Sequence, residues 1–410
     1  MRGREAVPIS PSSPELPALR MITILRNVEL FAPEALGRTS LVIAGGRLIG
    51  YGDDVPSWSG PCAVEEVDLA GARVVPGFVD GHAHTTGGGG EAGAETRVPA
   101  PCLSSFTRAG VTTVVGLLGT DAETRSMEEL LANTRALRAE GLGAYCYTGG
   151  YHLPPRTLTG SLRGDIVHLD SVVGVGELAL SDFRSSQPTL DELLRVASEA
   201  QVGGMLAGKA GIVHLHLGDG ERGLDLVRRA LDRSELPARV FNPTHVNRRP
   251  ALFEESLVLA QRGCTIDVTC FPVEDGDPAL AAEDALGRYF DADLPRDRIT
   301  ASSDSGGCLP TFDAQGAMTH MDVGRAETLA STLAALLRAG RALETVLPAF
   351  TSNPARHLKL AGKGALAVGC DADLLVLGDD GMPRSVMAQG CWHLRDGEVL
   401  RRGTFETNTH

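Results

Sequence analysis

Between Val75 and Gly307 one phrase recurs along the chain: a short apolar run, a turn bearing Gly or Asp, then an amphipathic helical pattern. The runs are "VVPGFVDGHAH", "GVTTVVGLLGT", "GAYCYTGGYH", "VVGVGELALSD", "GIVHLHLGD", "ARVFNPTHV", "CTIDVTCF" and "ITASSDSGG". Stretches between them, such as "SMEELLANTRALRAEG" and "TLDELLRVASEAQVGG", read as helices, with Ser126 and Glu129, and Thr189 and Glu192, spaced as capping boxes. Eight strand-then-helix units in one domain predict an α/β fold, a (β/α)8 TIM barrel over residues 75–361, with a doubly wound open sheet as the alternative.

The flanks read differently. "MITILRNVELFAPE" and "TSLVIAGGRLIGYG" before the barrel, and "ADLLVLGDD" and "MAQGCWHLRDGEVL" after it, alternate like antiparallel strands. They predict a small β-sandwich-like domain built from both chain ends, 21–74 plus 362–406, with a packing role. Residues 1–20, rich in Pro, Ser and charge, are expected to be a disordered extension or the product of a start codon read too early.

Every unusual polar residue of the eight runs falls near a strand end. His82 and His84 close the first, Tyr151 the third, His216 the fifth, His245 the sixth and Asp304 the eighth, while Glu177 and Arg184 follow from the fourth. In a barrel those ends meet on one face, where active sites of such folds are built. Histidines with carboxylates suit zinc or a similar divalent ion, and the alternation in "HAH" points both imidazoles the same way. His214 shares a face with His216 but stops short of the strand end, and is read as a satisfied core histidine. His152, His168, His320, His357 and His393 are read as surface or packing residues.

Composition narrows the partners. The formal net charge is -14, from 52 acidic and 38 basic residues without a basic run, which makes nucleic acid a poor partner and a small molecule the better one. The 8 cysteines form no C-x-x-C pair, as befits a reducing compartment. No apolar stretch approaches the ~20 residues of a membrane span. A cytoplasmic protein is expected.

"PGFVDGHAH", "ASSD" and "GCDADLLVL" resemble the amidohydrolase superfamily. Within it, "GGGGEAG", "VVGLLGTD", "TGGYHLPPRTLTGS", "SDFRSS", "PTHVNRR" and "GKGALAVGCDADLLVL" resemble the isoaspartyl (β-aspartyl) dipeptidase family from about Met21 to Glu406. The resemblance implies two zinc ions per subunit and hydrolysis of the isopeptide bond of β-aspartyl dipeptides by a metal-bound hydroxide. By position, His82 and His84 would hold one metal with Asp304, and His216 and His245 the other. Asp304 would serve as general base and acid, Tyr151 would stabilise the carbonyl oxygen, and Glu91 would bind the substrate's α-amino group. Gly89 would let the backbone approach substrate, Arg184 and Arg248 would clamp carboxylates, and Thr120 would line the same pocket. The resemblance also implies a homo-oligomer.

Two positions depart from that family. Where it bridges the metals with a carboxylated lysine, counting back from "SDFR" gives Glu177 and counting forward from "VVGV" gives Gly176; the three lysines, Lys209, Lys359 and Lys363, lie elsewhere. Glu177 would supply the bridging carboxylate on a shorter arm. A serine used near substrate stands here as Cys308, a weaker hydrogen-bonding group. Other readings keep the same machinery for another amide, such as a cyclic amide or an N-acyl amino acid, or make the barrel a non-catalytic scaffold.

Overall fold

The structure, a computed structural model, describes residues 21–53, 55, 62–274, 276–312 and 318–407; the expected N-terminal extension lies outside the described residues. The chain begins with β1 (Met21–Phe31), β2 (Ala35–Ala44), β3 (Arg47–Gly52), β4 (Ala63–Asp68) and β5 (Arg73–Pro76). It continues with β6 (Phe78–Ala83), β7 (Val111–Gly116), β8 (Gly143–Thr148), β9 (Val172–Leu180), β10 (Ile212–Leu217), β11 (Phe241–Thr244), β12 (Ile266–Thr269) and β13 (Ile299–Ser302). A hairpin of β14 (Cys308–Phe312) and β15 (Met318–Val323) follows, and the chain returns in β16 (Leu374–Leu377), β17 (Pro383–Ala388), β18 (Cys391–Arg395) and β19 (Glu398–Val399).

Strands β6 to β11 form one parallel sheet whose order follows the sequence, and β12 and β13 pair parallel beside it. A doubly wound sheet would reverse its order part-way; this one does not. The last strand also comes back to the first: the Asp304 amide donates to the His82 carbonyl (3.1 Å), and the His84 amide to the Ser305 carbonyl (2.8 Å). The arrangement is therefore barrel-like. Strands β7, β9 and β10 are buried along their whole length, which their uninterrupted apolar runs require when helices cover the outside.

A helix follows each of these strands. Met127–Ala139 starts at Ser126, whose hydroxyl accepts from the Glu129 amide, and Leu190–Ala207 starts at Thr189 with the reciprocal capping box to Glu192. The second helix ends on Gly208 at φ 69°, a left-handed position that glycine occupies without steric cost.

Both chain ends share a nine-stranded sheet in the order β19-β18-β17-β16-β5-β1-β2-β3, with β4 also on β1. Strands β1 and β2 are antiparallel, as expected of the flanks, but β1 pairs parallel with β4 and β5. Leu25, Val28, Leu30, Leu41, Ile43, Val74, Leu374 and Val376 make one core there. Lys363 ties the sheet to the barrel-like body: its Nζ lies 2.7 Å from Asp373 and 2.9 Å from Asp371, and only 3.0 Å from where a side chain at Gly143, the start of β8, would begin. Among the described residues, no helix is long and apolar enough to cross a membrane.

A buried charge left without its partner keeps its full desolvation cost. Lys363→Met should therefore destabilise the protein by about 3–5 kcal/mol, read as a lower midpoint in urea unfolding.

Candidate metal centre

The ligand candidates arrive from different strands at one end of the parallel set. His82 lies in β6 with His84 just beyond it, Glu177 in β9, His216 in β10, His245 one residue past β11 and Asp304 two past β13. The alternative count is resolved in favour of Glu177, whose carboxylate is 1% exposed in the middle of the cluster. His245 and Asp304 take left-handed backbone angles, φ 59° and 53°. Non-glycine residues adopt that region at a cost of order 1–3 kcal/mol and keep it where the surroundings impose it. Glycine is required beside Asp304 and His84: a Cβ on Gly307 would sit 2.2 Å from Asp304 Oδ1, and one on Gly119 would sit 2.6 Å from His84 Cε1.

The side chains converge closely. His82 Nε2 is 3.3 Å from Asp304 Oδ1 and 3.7 Å from Glu177 Oε2; His84 Nε2 is 3.2 Å from Asp304 Oδ1 and 3.5 Å from Glu177 Oε1. On the other side His216 Nδ1 and His245 Nε2 lie 3.3 and 3.6 Å from Glu177 Oε2. His82 with His84 and Glu177, His82 with His245 and Asp304, and Glu177 with His216 and His245 each bring ligand atoms within 4.8 Å of one another. Glu177 thus has one set on each side.

The donor atoms fit a divalent cation. His82 Nε2, both oxygens of Glu177 and Oδ1 of Asp304 are buried without a hydrogen-bond partner, a costly arrangement for polar atoms unless a cation ligates them. The electrostatics agree. Burial alone would lower the His82 pKa, yet Glu177 and Asp304 raise it to about 9. Burial alone would raise the Glu177 carboxyl, and His82, His216 and His245 hold it well below the usual carboxylate range.

Partners outside the cluster aim the imidazoles. His216 Nε2 donates to Asp182 Oδ2 (2.9 Å), which leaves Nδ1 facing Glu177 at 3.3 Å and the Tyr151 hydroxyl at 2.7 Å, and His245 Nδ1 meets the Thr269 hydroxyl at 2.7 Å. Burial would raise the Asp182 carboxyl, but hydrogen bonds from His216 and Arg184 keep it far below its ordinary value. Asp80 accepts from the Ser303 amide (3.1 Å) and hydroxyl, holding β6 against the segment that carries Asp304. Sequence reasoning missed Asp182 and Asp80 although both lie inside quoted motifs, "SDFRSS" and "PGFVDGHAH"; the signal was a carboxylate next to a ligand or clamp residue.

A narrow cleft opens beside the cluster. His84, Glu177, His216 and Asp304 line it together with all seven remaining candidates: Gly89, Glu91, Thr120, Tyr151, Arg184, Arg248 and Cys308. His82 and His245 lie deeper. Gly89 has a reason within its own loop, since a Cβ there would strike the Thr96 carbonyl at 2.4 Å. Arg125, another residue missed from sequence, is 5% exposed and secures that loop by donating to the carbonyls of Gly88 (2.9 Å), Val98 (2.8 Å) and Thr86. Arg184 grips Asp182 with two nitrogens, Nε at 3.0 Å and Nη2 at 2.7 Å, and turns Nη1 toward Glu91 at 3.5 Å. Burial pushes the Cys308 thiol up to about 12, so it is a neutral thiol at neutral pH.

A parallel, barrel-like strand set carrying such a ligand cluster at its C-terminal ends defines a metal-dependent hydrolase. The chain belongs to the amidohydrolase family, whose pattern its residues 73–393 match. It is similar to the crystal structure of a beta-aspartyl dipeptidase from the thermophilic, keratin-degrading Fervidobacterium islandicum AW-1 in complex with β-Asp-Leu dipeptide: 42% identity, TM-score 0.87, 94% of this chain and 100% of that one. A second structure of a beta-aspartyl dipeptidase from that organism matches at 40% identity and TM-score 0.85, with the same coverage. A deacetylase of Brucella anthropi is 25% identical over 338 residues, 78% of this chain and 75% of that protein.

Glu177→Ala should lose bound divalent metal, measured as metal per chain after dialysis. Gly307→Ala, by displacing Asp304, should lower turnover by at least tenfold while the protein stays folded by circular dichroism.

Proposed function

We propose that this chain hydrolyses the isopeptide bond of β-aspartyl dipeptides. The observation that carries the reading is the cleft's charge pattern: a carboxylate, Glu91, and two guanidinium groups, Arg184 and Arg248, line the same cavity as the ligand cluster. An amino acid's ammonium and carboxylate groups need that set, and a neutral cyclic amide does not. Glu91 Oε2 and Arg248 Nε are buried without partners, which suits them to a substrate amine and a substrate carboxylate respectively. The 42% identity to a dipeptidase crystallised with β-Asp-Leu supports the same substrate class.

In this reading β6 to β13 and their helices make a complete (β/α)8 barrel over residues 75–361, and 21–74 with 362–406 make the small β domain. His82, His84 and Asp304 would hold one zinc ion and His216 and His245 a second, with Glu177 supplying the shared carboxylate in place of a carboxylated lysine. Zinc, when bound, supplies Lewis acidity and lowers the pKa of water enough to provide a nucleophile near neutral pH. Asp304 takes the proton of the attacking water and returns it to the leaving amine. Burial, then Glu177, raises the Tyr151 hydroxyl well above 10, so it remains a neutral donor for the developing oxyanion. Gly89, Thr120 and Cys308 shape the substrate's surroundings. Arg184, held by Asp182, supports Glu91, and Arg248 is the freer carboxylate clamp. The protein acts as a cytoplasmic homo-oligomer on a small dipeptide, with neither nucleic acid nor membrane as partner.

Zinc-loaded protein should cleave β-Asp-Leu and leave α-Asp-Leu intact, with activity lost on chelation; cleavage of neither isomer would remove the substrate assignment. Asp304→Asn should lower turnover by about 10²–10⁴-fold with the products' identity unchanged.

A further inference from the structure

One buried imidazole is unused in the scheme above. His214 is 1% exposed and lies beneath the ligand cluster, its ring stacked on Tyr147 at 5.0 Å and 6°. Its Nε2 is 2.8 Å from His82 Nδ1, and its Nδ1 is 2.6 Å from Asn242 Oδ1. Asn242 Nδ2 in turn donates to the Thr265 carbonyl at 2.7 Å. We propose that the Thr265 carbonyl, Asn242 and His214 form a one-way hydrogen-bond relay that fixes His82 as its Nδ1–H tautomer and so presents a bare Nε2 to the metal.

Direction is set at the far end by a group with no choice. A backbone carbonyl only accepts, so the nitrogen of the Asn242 amide must face it, and the amide cannot flip. Its oxygen therefore faces His214 and can only accept, which puts a proton on His214 Nδ1. His214 is sealed from water and, among the described residues, forms no ion pair with a carboxylate, so it carries that proton alone. Its Nε2 is then an acceptor, and the contact of 2.8 Å is a hydrogen bond only if His82 Nδ1 is the donor. The relay leaves Nε2 of His82 as the nitrogen for a metal, 3.3 Å from Asp304 and 3.7 Å from Glu177. His214 acts through His82 and is a positioning residue.

The other ligands are oriented differently. His245 leans on the Thr269 hydroxyl, which donates or accepts by rotating, and His216 leans on the carboxylate of Asp182. A carboxylate beneath His82 would set the same tautomer but would add buried negative charge next to Glu177 and Asp304. A neutral imidazole backed by an amide sets it without that charge. The neighbouring strand leaves room for it: a Cβ on Gly176 would lie 2.9 Å from His214 Cβ and 3.3 Å from the Tyr147 ring.

The inference rests on His82 being a metal ligand, and the test separates the two. Zinc affinity of the full chain is measured by competition with a chromophoric chelator for wild type and for His214→Phe, which keeps a ring of similar size on Tyr147. The variant should bind at least one ion about 10–100-fold more weakly, with the unfolding midpoint of chelated protein close to wild type. Equal affinity overturns the relay alone; a wild type that takes up no zinc overturns the metal centre and the relay together. A second measurement needs no mutation. In zinc-loaded wild type carrying ¹⁵N-histidine, a scalar coupling across the N–H···N bond between His82 Nδ1 and His214 Nε2, with a proton on His214 Nδ1, supports the relay, and a proton on His214 Nε2 overturns it.

Discussion

Two carboxylates buried among imidazoles govern this molecule. Glu177 and Asp304 are 1% and 6% exposed, and moving such charges out of water costs several kcal/mol each unless something positive answers them. Among the described residues no arginine or lysine pairs with either; the ion-pair partners are four histidines. The cluster is complete only with a cation among its donors. The positive-φ turns at His245 and Asp304, and the glycines at 119 and 307, are the local concessions that bring six side chains from five strands within reach of one another.

Around the cluster the support is organised in one direction. Glu91 meets Arg184, Arg184 grips Asp182, and Asp182 holds His216. A single chain of charge-assisted bonds therefore runs from the mouth of the cleft to a ligand. Arg184 thus lines the cleft and, through Asp182, supports the cluster with the same side chain.

Much of this was legible in the sequence. The eight strand-helix phrases gave the parallel set and its order, and placing polar residues at strand ends picked out six side chains that the structure gathers within a few ångströms. Glu177 could be chosen over Gly176 only in three dimensions, because the two counts along "VVGVGELALSD" start from different anchors. His214 was rightly read as a satisfied buried histidine, but its contact with His82 spans 132 positions and two non-adjacent strands, which no local pattern encodes. The hold of Asp182 on Arg184 escaped for another reason: a carboxylate two residues from an arginine is common, and only burial makes the pair bidentate and decisive. The parallel pairing of β1 with β4 and β5 was hidden because strand alternation reports which face is buried and says nothing of the partner's direction.

The nine-stranded sheet carries a consequence for biosynthesis. β5 finds its antiparallel neighbour in β16, pairing Val74 with Val376, so the barrel-like body is spliced into the middle of the sheet that flanks it. Strands β1 to β5 emerge from the ribosome long before that partner exists. They wait with one edge open through the synthesis of some three hundred residues. Strands β16 to β19 act as a clasp, and a chain truncated before β16 would carry the six clustered side chains yet expose the hydrogen-bonding edge of an unfinished sheet.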